Sequence, residues 1–146
     1  MQINFGGDFT VKKPIEEVYS FLTDADRFCP LLPDFKSMQK EDDKHFVVTV
    51  RVGVSHIRGD AKLKMELLEA ESPHRAAYQG KGDVLGGTAT LIAGFDLEKS
   101  GDGTKVNWKG ESQIVGRMAS LAGGLLEPLA KKNVEKLIQG LQNALA

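Results

Sequence analysis

From the N-terminus, Ile3, Phe5, Phe9 and Val11 alternate with Asn4, Asp8 and Thr10. An apolar residue at every second position marks a strand with one buried face. The pattern breaks at Pro14, where Glu16 and Glu17 follow and Val18, Tyr19, Phe21 and Leu22 come next. Proline and acids together in a first turn predict a short helix, ending near Thr23-Asp24. A second short helix is expected over Ala25 to Leu31, before Pro33.

The middle of the chain carries the clearest alternation. Phe46, Val48, Val50, Val52 and Val54 share one parity, and Ile57, Ala61, Leu63, Met65 and Leu67 repeat it against Arg58, Asp60, Lys62, Lys64 and Glu66. Such runs in series predict antiparallel strands with one wet face. After a turn at Ser72-Pro73, Ala76 and Tyr78 form a further inward set, and so do Ala89, Leu91, Ala93, Phe95 and Leu97. Ser100-Gly101-Asp102-Gly103 predicts a hairpin turn into Val106, Trp108 and Ile114. The period then lengthens. Met118, Leu121, Ala122, Leu125, Leu129, Val134, Leu137, Leu141 and Leu145 recur at three- and four-residue steps, the signature of an amphipathic helix. Gly123-Gly124 and Pro128 should bend or split it.

These segments add up to about seven strands, two short helices and a long terminal helix, an α+β chain. A sheet wet on one face must cover the other, and the terminal helix carries the long apolar stripe available for that. One helix is narrow for seven strands, about 10 Å with its side chains. The sheet is therefore expected to curve around the helix, which favours an apolar hollow between them, sealed at one end by the short helices.

Composition narrows the function. At about 150 residues per domain, 146 residues predict one domain spanning 1–146, long enough to bury about two thirds of its unfolded surface. A formal net charge of -1 gives no basic excess to grip a phosphate backbone, so no nucleic-acid partner is expected. One cysteine excludes an internal disulfide framework and a multi-thiolate metal centre. Met1 to Thr10 has neither a basic nor an apolar region of a secretory signal, and no run approaches 18 apolar residues. With the lone thiol, this points to the cytoplasm and to no transmembrane segment.

The candidate polar sites are weak. His45 and His56 fall on the wet parity and His74 beside the Pro73 turn, which reads as solvated surface. Cys29, followed by Pro30, reads as a small buried apolar residue. GKGDVLGG, residues 80–87, lacks the Gly-Lys-Ser/Thr ending of a phosphate loop and is followed by a strand. It fits a bulge or a mobile loop at a cavity mouth. Asp42-Asp43 falls in a turn. No metal and no cofactor is expected.

The order and wording of the chain resemble one known family. GDFTVKKPIEEVYSFLTD (7–24) looks like the opening strand and first helix of the carbon monoxide dehydrogenase G-subunit (CoxG) family, within the START-like (SRPBCC) helix-grip superfamily of lipophilic ligand binders. FCPLLPDFKSM (28–38) resembles its second helix and Leu-Pro turn, RVGVSHIRGDAKL (51–63) its Val-Gly strand pair, and GKGDVLGGTATL (80–91) its glycine-rich strand and loop. TKVNW (104–108) and IVGRMASLAGGLLEPLAKKNVEKL (114–137) resemble its last strand and gripping helix. The resemblance implies a non-catalytic accessory protein with a deep apolar cavity. It would bind a hydrophobic small molecule, a quinone among the candidates, and serve a molybdenum-containing carbon monoxide dehydrogenase-type enzyme. Many members carry a tail beyond the gripping helix implicated in membrane contact; here the sequence ends at Ala146, so the resemblance leaves peripheral membrane contact open.

Val52, Val54, Leu63, Met65, Tyr78, Leu91, Phe95, Trp108, Met118, Leu121 and Leu125 are the inward apolar set, able to line a ligand cavity or to fill a dry core. Small inward residues such as Ala61, Ala76, Gly80, Ala89, Ala93 and Gly110 favour the cavity, because they leave volume unfilled. Phe21, Phe28 and Leu32 are expected to close one end. Leu85, Gly86, Gly123 and Gly124 are expected to form an adjustable entrance. Two other readings stay open. One is a superfamily enzyme of aromatase/cyclase or hydrolase-like type, which needs convergent polar groups in the cavity. The other is an interaction or chaperone-activator-like protein with a filled core.

Overall fold

The chain lays down strand β1 (Gln2–Val11), helices α1 (Ile15–Leu22) and α2 (Ala25–Phe28), and a 3-10 turn at Cys29–Leu31. Strands β2 (Phe35–Lys40), β3 (His45–Val54), β4 (Ile57–Glu71), β5 (Arg75–Val84), β6 (Gly87–Ser100) and β7 (Gly103–Gly116) follow, and helix α3 (Gly123–Ala144) closes the sequence. The computed structural model describes residues 1–54, 57–84, 86–116 and 123–146.

All seven strands form one antiparallel sheet in the order β1-β7-β6-β5-β4-β3-β2. Strands β2 to β7 are a meander, and β1 returns to the far edge beside β7, with Gln2 opposite Gln113 and Val11 opposite Thr104. The two edge strands are thus neighbours in sequence. The segment from Pro14 to Asp34 carries the chain from one edge to the other, and α1 and α2 lie along that crossing, at one end of the sheet.

Alternation placed the inner faces of β1, β3, β6 and β7. Ile3, Phe9 and Val11 are buried, as are Phe46, Val48, Ala89, Leu97 and Val106. Strand β2 is the one that alternation does not reveal. A register shift between Phe35 and Ser37 breaks its period, so its half-buried residues, Phe35 and Met38, are three apart. A second shift between Leu67 and Glu69 extends β4 beyond the run read from sequence and leaves Leu68 46% exposed. The second short helix divides, four residues of α-helix passing into the 3-10 turn that holds Pro30.

Two features of the glycines and prolines depart from expectation. The α3 helix runs unbroken from Gly123 to Ala144 with Pro128 inside it. Pro128 forgoes only its own bond to the Gly124 carbonyl, close to the helix start, so the helix is not split. Among its described residues the 80–87 stretch holds no bulge, since β5 pairs with β6 without interruption from Arg75–Asp96 to Val84–Gly87. Gly86, at φ 83°, takes the left-handed turn residue that a side chain would strain.

Burial concentrates in two clusters. The first joins Phe9 and Val11 of β1, Ile15, Val18 and Leu22 of α1, Leu97 and Val106 of the sheet, Leu141 of α3 and Leu145 just beyond it. The second joins Ala25 and Cys29 to Phe46 and Val48 of β3, with Leu32, Leu63 and Met65 packed against it. Thr104, fully buried, donates its hydroxyl to the Lys13 carbonyl at 2.8 Å and so ties the helix crossing to β7.

Cys29 is fully buried, and burial first, then the Asp26 carboxylate, pushes its thiol up to about 12. The thiolate is the reactive form. Cys29 is therefore expected to resist iodoacetamide at pH 8 in the folded protein and to react fully in urea. Ready labelling of the native chain would show that the α2 region opens.

Candidate functional site

Beneath α3 the inner face of the sheet leaves a cavity of about 240 Å³. Phe5 and Phe9 of β1 form one wall. The floor comes from Leu91, Ala93 and Phe95 of β6 and from Val106, Trp108 and Gly110 of β7. Leu22 and Phe28 close the end reached by the short helices, and Val134, Leu137, Ile138 and Leu141 form the roof. These four recur at i, i+3, i+4 and i+7, so they share one face of the helix. Small floor residues explain the void. Ala93 sits between Tyr78 and Gly110 on its neighbouring strands, where larger side chains would reach the roof.

An aromatic partition divides the interior. Phe28 and Tyr78 lie with ring centroids 5.5 Å apart, and Phe46 stacks edge-on against both, at 6.0 and 6.1 Å. On one side is the cavity; on the other is the filled cluster with Leu32, Leu63 and Met65. The Tyr78 hydroxyl donates to the Leu22 carbonyl at 2.9 Å, one of the last carbonyls of α1, which the helix itself cannot satisfy. Burial holds this phenol well above its ordinary range, so it stays a protonated donor. Tyr78→Phe leaves that carbonyl unpaired and is expected to lower stability by about 1–2 kcal/mol, read by urea unfolding. An unchanged midpoint would show that water replaces the hydroxyl.

The cavity carries few polar groups. Among the described lining residues there is no carboxylate, imidazole or thiol. Lys109 contributes at the rim and its residue is exposed. Trp108 lies over Gly7, its partner across the β1–β7 pair. A Cβ at Gly7 would stand 3.0 Å from the indole Cζ2, so the bare glycine is the seat of the ring. Among the described residues the buried Trp108 Nε1 has no hydrogen-bond partner.

The residues proposed from sequence are distributed unevenly. Phe28, Tyr78, Leu91, Phe95 and Trp108 meet at the cavity. Leu32, Leu63 and Met65 lie beyond the partition. Val52 is half-buried near the far end of β3, beside a surface hollow with Asp34 and Arg51. Phe21 packs at the edge of the first cluster with the Arg27 guanidinium 5.4 Å from its ring centre. Leu125 is 55% exposed and does not line the cavity. The buried stripe passes through Leu126, Leu141 and Leu145, and Leu125 lies one residue, about 100°, off it. Gly86 and Gly124 are exposed and outside the lining, and Gly123 begins α3. Leu85, Met118 and Leu121, and the side chain of Val54, lie outside the described residues, as does His56. Phe5, Phe9, Leu22 and the α3 roof were not among the proposed site residues. Strand parity and the helical repeat carried the signal for Phe5, Phe9, Leu137 and Leu141.

The remaining polar candidates are surface structure. Asp42 accepts from the Lys44 and His45 backbone N–H groups and from His45 Nδ1, at 2.8 to 2.9 Å. These bonds, that of Lys44 foremost, hold its carboxyl below the usual range. Its hydrogen bond in turn holds the His45 imidazole above its ordinary value. Among the described residues no cluster of ligands suits a metal ion, and no helix is long and apolar enough to cross a membrane.

The family model of the carbon monoxide dehydrogenase G-subunit (CoxG) matches residues 7–146. The chain belongs to the CoxG family. A conserved protein from Geobacillus kaustophilus has a crystal structure similar to this CoxG-family chain, with a TM-score of 0.85 at 18% identity over 98% of this chain and 95% of that one. A protein from Thermus thermophilus gives 0.69 at 17% identity over 99% and 97%. The di-domain ARO/CYC BexL from the BE-7585A biosynthetic pathway gives 0.68 at 12% identity, with 99% of this chain on 50% of that one. No curated protein matches. The architecture is the helix-grip fold of START-like (SRPBCC) proteins. Family and fold together support a ligand-binding or related superfamily role for this CoxG-family chain.

Proposed function

We propose that this CoxG-family chain is a non-catalytic carrier that holds a lipophilic small molecule beneath α3, as an accessory to a molybdenum-containing carbon monoxide dehydrogenase-type enzyme. The cavity carries this reading: a hollow of about 240 Å³ walled by aliphatic and aromatic side chains. Apolar sites with a few placed polar groups are the usual form of small-molecule pockets. The volume lies just below the usual range of about 300–1,000 Å³. It suits a compact ring system, such as the head of a quinone, with any long tail outside. Of the usual acid–base side chains the described lining holds Tyr78, whose hydroxyl is committed to the Leu22 carbonyl, and Lys109 at the rim. The single buried thiol suits the reducing cytoplasm.

Trp108 is the only tryptophan of the sequence and stands on the cavity wall, so its fluorescence reports occupancy. Titration with menadione and with a short-chain ubiquinone is expected to quench it saturably, and native mass spectrometry to show a one-to-one complex. No saturable quenching and no complex with quinones, fatty acids or other lipophiles would overturn the carrier reading. The partnership is tested separately, by co-purification of a tagged chain with the dehydrogenase.

A further inference from the structure

Resting on the carrier reading, we propose that the Trp108 indole N–H selects the ligand by class: a compact apolar molecule with a hydrogen-bond acceptor, a carbonyl or ether oxygen, held against β7. Trp108 Nε1 is the buried side-chain polar atom without a partner among the described residues. A buried, unpaired donor carries its full desolvation penalty. Phenylalanine would line the same wall without that penalty, so packing alone does not account for the indole.

Two hydroxyls near the cavity are already engaged. The Tyr78 hydroxyl is committed to Leu22, and the Thr104 hydroxyl to Lys13. An acceptor on a ligand seated inside the cavity therefore meets the indole N–H, while Lys109 is exposed at the rim. Gly7 makes that donor available. Its missing Cβ lets the ring lie flat on β1, and Nε1 stands 3.5 Å from where that Cβ would be. Nε1 is sealed from open space in this structure, so binding includes a rotation of the ring that turns the N–H towards an occupant. The N–H donates to the ligand oxygen; no covalent step is involved.

Two probes with the same number of heavy atoms separate the acceptor from the apolar bulk: 2-acetylnaphthalene and 2-isopropenylnaphthalene, both with a planar substituent. Calorimetry compares the wild-type protein with Trp108→Phe. The ratio of ketone to hydrocarbon affinity is expected to fall about tenfold in the variant, the value of one net hydrogen bond. The smaller ring alters the apolar contacts of both probes alike, so the ratio, not either affinity alone, is the readout. An equal ratio in both proteins overturns the assignment and leaves the carrier reading standing. Failure of the wild type to bind either probe overturns the assignment, and the carrier reading falls with it only if quinones, fatty acids and other lipophiles fail as well. Should Trp108→Phe fail to fold, the wild type still decides. Its one indole N–H resonance in a ¹H–¹⁵N spectrum is expected to move downfield with the ketone and not with the hydrocarbon. The same shift with both probes overturns the proposal.

Discussion

Replacing Gly82 by alanine is expected to lower the stability of the fold by about 3 kcal/mol, or about 6–12 °C in Tm. Gly82 lies between Leu63 of β4 and Ala89 of β6. A Cβ there would run into the Lys62 carbonyl and stand 3.0 Å from the Leu63 Cα. Those are backbone atoms of a strand bonded on both sides, so they cannot swing aside as a flexible side chain can. Relief requires β4 and β5 to part, with loss of ladder bonds at the middle of the sheet. Gly124→Ala is the matched control. It sits in α3 with open space around it, and alanine there removes the entropic cost of a helical glycine, a gain of up to about 1 kcal/mol. Thermal melts of both variants check the pair. A Gly82→Ala protein as stable as the wild type would show that the sheet is not so tightly closed there.

Filling the cavity should abolish binding while sparing the fold. Ala93→Phe places a ring on the floor facing the α3 roof, in a volume of about 240 Å³. The ring takes the space a ligand would occupy and supplies the contacts that an empty void lacks. Affinity for menadione is expected to fall at least about 100-fold, equal to about 2.7 kcal/mol. Tm should hold or rise, since filling a void adds packing. Fluorescence titration and a melting curve test the two halves. Undiminished binding would place the ligand elsewhere on the molecule.

The contrast between Gly80, Gly7 and Ala93 shows how far small residues can be read from sequence. All three fall on inward positions, and all three look like missing volume. At Gly80 the Met65 thioether occupies the space, and at Gly7 the Trp108 ring does. At Ala93 the space stays open. Strand parity cannot separate these cases. Which neighbour leans into a gap depends on the register of the next strand and on side-chain direction, and neither is written locally. The lining set divided for the same reason. Leu63, Met65, Leu91 and Trp108 share an inward parity, yet the Phe28–Tyr78–Phe46 partition puts the first two beyond the cavity.

Local pattern by itself determined most of the elements, because strands and helices write their buried faces at periods of two and 3.6. Alternation marked β1, β3 and β4 to β7, and the long repeat marked α3 and most of its buried stripe. The order and wording of those segments were enough for the family. Irregular backbone escaped this reading: β2, whose register shift breaks the period, and the continuity of α3 through Pro128. Only the tertiary structure decided where the interior is empty. The cavity exists because the helix crossing places Leu22 and Phe28 at one end, α3 presents Val134, Leu137, Ile138 and Leu141, and the floor beneath them is built from Ala93 and Gly110. Each of those residues is ordinary alone. Their shared volume is a property of long-range packing, and so is the burial of the Trp108 N–H without a partner among the described residues.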